Sequence, residues 1–128
     1  MKQVKVPASQ IFAHMEAMQF VYEKLNTSYP GNVIAGMKEG PIDDKILLWE
    51  IDFSNKETKE NHRVGDEAII QVTKHANTIQ TLYDLYDECV SVLVPDLTNV
   101  SSCFVTERLL TSFDNGLYRI DIRVKISK

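Results

Sequence analysis

Near the end of the chain Tyr118, Ile120, Ile122, Val124 and Ile126 alternate with Arg119, Asp121, Arg123, Lys125 and Ser127. A period of two sends the first set to one face of a strand and the second to the other. Such a strand belongs to an antiparallel sheet covered on one side and wet on the other. Asp114-Asn115-Gly116 just before it predicts a hairpin, because Asn-Gly readily supplies the positive φ angles of a type I′ turn. The partner strand is expected over residues 100–111, as one long strand or two short ones with a bulge.

Helical spacing governs two other stretches. Ile11, Met15, Met18, Tyr22 and Leu25, with Phe12 and Val21 beside them, predict a helix over 9–25 with Ser9 as its N-cap. Ile79, Leu82, Tyr83, Tyr86, Val90 and Leu93 predict a second over 78–94, capped by Asn77 or Thr78 and closed by Pro95. Between them lie a short strand at 33–37, a strand at 46–53 and a strand at 67–74. Gly40-Pro41 marks a turn after the first of these. The expected fold is α+β, two helices packed on one face of a mostly antiparallel sheet, in the order α-β-β-β-α-β-β. No repeat or linker divides the chain, so a single domain spanning 1–128 is expected, with a long polar hairpin loop at 54–66.

Composition narrows the function classes. The 128 residues suffice for one core, and 44% hydrophobic with 25% charged residues excludes disordered and low-complexity classes. A net charge of −4 argues against a dedicated binder of nucleic acid or of an anionic membrane surface. No apolar run approaches the ~20 residues of a membrane span, and no signal-peptide pattern opens the sequence. Cys89 and Cys103 lack metal-ligand spacing and are expected as two buried free thiols, with synthesis in the cytoplasm.

Candidate chemistry is sparse. There is no G-x-S-x-G, P-loop or G-x-G-x-x-G. His62, Asp66 and His75 would form a metal or catalytic site only if the hairpin folded back on itself, and a small enzyme or ligand-binding domain with a site near His75 and Asp66 is the alternative reading. Asp84 and Glu88 share a helix face, but the polar one. Catalytic residues, cofactors and metals are therefore expected to be none. Arg119, Arg123 and Lys125 lie on the wet face of the last strand without the interleaved aromatics of an RNA-binding sheet. They read as a partner-facing surface.

Two oddities point towards assembly. Residues 54–66 are long and charged for a hairpin loop, and Lys56, Lys59, His62 and Arg63 within them are expected, like Arg119, Arg123 and Lys125, to bind a partner. The terminal strand, 117–127, spans about 34 Å at ~3.4 Å per residue and is a liability unless another chain covers it.

The element order, the Tyr29-Pro30-Gly31 segment and the closing run Asn115-Gly116-Leu117-Tyr118-Arg119-Ile120-Asp121-Ile122 resemble the tail terminator and tail-completion (tail-to-head joining) proteins of long-tailed bacteriophages. That resemblance implies a structural virion protein without catalytic residues. It implies self-association into a ring, a hexamer by the family pattern, which caps the tail tube protein and docks to a head connector or stopper protein. The implied location is the head-proximal end of the tail.

Overall fold

A computed structural model describes residues 8–36, 45–57, 63–95 and 100–127. The elements are α1 (Ala8–Ser28), β1 (Val33–Ala35), β2 (Ile46–Glu57), β3 (Arg63–Ala76), α2 (Ile79–Val92), β4 (Ser102–Ser112) and β5 (Tyr118–Ser127). The order is the expected one, and the class is α+β.

The sheet has five strands in the spatial order β1-β2-β3-β5-β4. β1 runs parallel to β2, and every other pair is antiparallel. β1 stops at Ala35 instead of Met37, because Gly36 turns away with φ 126° while its N–H still reaches the Leu48 carbonyl at 2.6 Å. The last strand is not an edge. β5 lies between β3 and β4, paired to β3 from Glu67 to Ala76 and to β4 from Ser102 to Ser112. Its length is covered by its own chain, which removes the expected need for a second molecule there.

Residues 54–66 also differ from the expected loop. β2 continues to Glu57 and β3 begins at Arg63, with Ser54 opposite Glu67, Asn55 opposite Asp66 and Lys56 opposite Gly65. Backbone pairing extends the ladder through a polar sequence, since strand hydrogen bonds do not depend on apolar side chains. Lys56 and Arg63 thus sit in strands. Lys59 and His62 lie outside the described residues, as does the Gly40-Pro41 turn.

Both helices cover one face of the sheet. Met18, Val21 and Leu25 of α1 and Leu82, Leu85 and Cys89 of α2 meet Ile46, Leu48, Ile70, Val72, Ile120 and Ile122 in a single core. The buried face of α2 is turned from the expected stripe. Leu82, Leu85 and Cys89 are buried, while Ile79, Tyr83 and Val90 are exposed. Apolar residues occupy both sides of this helix, so its periodicity alone left the inward side undecided. Thr78 is the N-cap residue, though its hydroxyl pairs with that of Thr81 at 2.7 Å and caps no backbone amide.

The final hairpin turns through Asp114, Asn115 and Gly116. Phe113 N–H donates to the Leu117 carbonyl at 2.9 Å, and Gly116 adopts φ 78°. This is a three-residue connection with one left-handed glycine, not the two-residue type I′ turn.

Candidate functional site: the open face of the sheet

The face opposite the helices is built by register. Leu47, Thr73, Asp121 and Leu109 stand in one row across four strands, and Trp49, Gln71, Arg123 and Glu107 in the next. A third row holds Asp52, Ile69, Lys125 and Phe104, and a fourth His75, Arg119 and Thr111. Period-two alternation delivers these residues to one side because Ile70, Val72, Ile120, Ile122 and Val124 must face the helices.

Asp121 is the centre of a polar network on this face. Its Oδ1 accepts from Thr73 Oγ1 at 2.6 Å, Gln71 Nε2 at 3.0 Å and Arg119 Nε at 3.0 Å. Thr73 and Gln71 are buried, so the carboxylate satisfies donors that water does not reach.

The three basic residues of β5 expected to face a partner each carry an acidic one. Arg119 Nη2 lies 3.0 Å from Asp121, Arg123 Nη1 lies 3.4 Å from Glu107, and Lys125 Nζ lies 3.2 Å from Glu67. Paired in this way, the stripe presents alternating signs and no continuous positive track for phosphates. Phe104 and Leu109 stand exposed beside it, and Phe113, two residues beyond Thr111, is exposed next to His75.

His75 and Asp66 are not brought together. They lie nine positions apart on β3, roughly 30 Å at ~3.4 Å per residue. His75 is buried and stacks on Phe113, with ring centroids 6.3 Å apart. Among the described residues no three His, Cys, Asp or Glu side chains are placed to hold a metal ion. Cys89 and Cys103 are free and buried. Burial pushes the Cys89 thiol up to about 12 and the Cys103 thiol up to about 11, the reverse of an activated nucleophile. No described helix is long and apolar enough to cross a membrane.

Sequence reasoning missed a second feature. Tyr83 and Tyr86 of α2 lie under Arg108 of β4, whose guanidinium carbon is 5.2 and 4.6 Å from their ring centres. A shift of register between Val105 and Glu107 places Arg108 on the helix side of the sheet. A bulge is one of the two expected forms of the 100–111 strand, but its position at Thr106, which decides that Arg108 faces the helix, is set by the pairing with β5.

The fold so defined is an α+β layer of two helices on a five-stranded mixed sheet. No family model matches the sequence, and no curated protein matches it. A solved structure does share the fold: a chain in the "Virion of native gene transfer agent (GTA) particle". It superposes with a TM-score of 0.60 at 16% identity, over 95% of this chain and 98% of that one.

Proposed function

We propose that this chain is a structural protein of a phage-like virion and not an enzyme. The observation that carries the reading is the fold shared, end to end, with a chain of a gene transfer agent virion. The face built on Asp121 supports it, because Arg119, Arg123 and Lys125 are each held in an ion pair with an acid of the same face.

Within that class the resemblance in element order favours a tail terminator. The chain would close a ring, six-fold by the family pattern, on the end of the tail tube. It would present one side to tube protein and the other to a head connector or stopper, at the head-proximal end of a tail assembled in the host cytoplasm. The open face, with Arg119, Arg123 and Lys125 alternating with their acids, suits a protein surface of mixed charge.

Purified protein mixed with tail tubes tests this. Sedimentation and negative-stain microscopy are expected to find it at one tube end and to find tube length arrested. Tubes that elongate unchanged, with the protein left monomeric in the supernatant, would overturn the reading.

A further inference from the structure

The β2–β3 pair outruns the sheet that supports it. β5 pairs with β3 only from Glu67 onward, and β1 pairs with β2 only along Ile46, Leu47 and Leu48. Past that point Asn55 opposite Asp66, Lys56 opposite Gly65 and Glu57 opposite Arg63 continue as a two-stranded ribbon. No third strand flanks it among the described residues. Two strands alone are marginal in water. Residues 54–66 contain one aliphatic side chain, Val64, so the sequence of this stretch carries no alternating apolar set.

A second unfinished backbone lies at the other border of the sheet. The outer side of β4 pairs with no strand among the described residues, and Thr106, Glu107, Arg108 and Leu109 are all exposed. After the bulge at Thr106, residues Glu107 to Ser112 keep regular register with β5. Among the described residues that leaves a straight run of outward amides and carbonyls with no strand beside it.

We infer that the ribbon is an arm that adds, strand to edge, onto the 107–112 stretch of β4 in a second copy of this chain. This deepens the ring reading and rests on it. A copy supplies what each unfinished edge lacks, whereas an unrelated partner would complete only one of them. The two edges belong to different strands, so the contact is head-to-tail, the type that closes rings. A symmetric β4–β4 contact would pair the two β4 edges but leave both ribbons without a flanking strand. Charge agrees as well. The chain carries −4 overall, yet Lys56, Glu57, Arg63 and Asp66 on the arm balance, and so do Glu107 and Arg108 on the edge. A contact repeated between identical acidic molecules needs such neutral patches.

Disulfide trapping between two single variants, Arg63→Cys and Leu109→Cys, tests the contact. The buried, weakly acidic native thiols give little background. Mixed under conditions where the wild type assembles, the variants are expected to form a crosslinked dimer holding one chain of each. A Leu109→Cys homodimer in place of the mixed species would mean a symmetric β4 contact and overturn the inference. No crosslink, with the wild type still assembling on tubes, would overturn the arm contact and leave the ring standing. A wild type that never assembles would remove both. As a second arm, replacing residues 56–65 by a two-residue Asn-Gly turn is expected to leave a folded monomer that no longer assembles. Assembly unchanged by that replacement would also overturn the inference.

Discussion

Arg119 Nε donates to both carboxylate oxygens of Asp121, at 3.0 and 3.1 Å, from two positions earlier on the same strand. Neighbours at i and i+2 share a strand face, so this pair is local. Its second function is not local: it holds Asp121 where Thr73 and Gln71 of the adjacent strand also donate to it.

Asp121→Ala is therefore expected to destabilise the protein by about 2–4 kcal/mol, because it strands two buried donors. Arg123→Ala removes an exposed ion pair and is expected to cost less than about 0.5 kcal/mol. Urea unfolding of both variants checks the contrast, and similar losses would show that the Asp121 network is not the structural centre of this face.

The inward side of α2 is testable in the same way. Leu85→Ala is expected to cost about 2–4 kcal/mol, since Leu85 is 1% exposed. Val90→Ala should shift the thermal midpoint little, since Val90 is 55% exposed. The reverse ranking would restore the stripe through Val90.

Gly116→Ala meets no atom within 4 Å of the added Cβ, so its cost is the left-handed backbone alone. That cost is about 1–2 kcal/mol. Replacement by Asn, which tolerates φ 78° better, should recover part of it in calorimetric melting.

The thiols tie stability to alkaline pH. Burial raises Cys89 from 9.0 to about 12 and Cys103 from 9.0 to about 11 in the folded chain. Unfolded thiols lose their protons first, so above about pH 9 the native state holds more protons and stability falls as pH rises, until the folded thiols themselves titrate. Below pH 9 the full contribution is present. Cys89→Ala, although weaker at pH 8, is expected to lose less between pH 8 and 10.5 than wild type in paired urea titrations. Parallel losses would mean that Cys89 does not carry the effect. Neither native thiol should react with a thiol reagent at pH 8 until denaturant is added.

The alternation of Ile120, Ile122 and Val124 with Arg119, Asp121 and Arg123 was enough to predict a strand with one apolar and one polar face, and the spacing of Val21 and Leu25 enough to place a helix. These are local properties, decided by backbone periodicity and a few stop signals such as Asn115-Gly116. Which strand lies beside which is not local. Inserting β5 between β3 and β4 gave the long last strand two partners, and carrying β2 and β3 past the end of β5 made strands of residues 54–57 and 63–66, which composition marked as loop. The same pairing set Asp121 beside Thr73 and Glu107 beside Arg123, turning a basic stripe into a neutral one. Hydrogen-bond ladders join residues far apart in the chain, and their choice depends on the energy of the whole sheet, which no window of sequence contains.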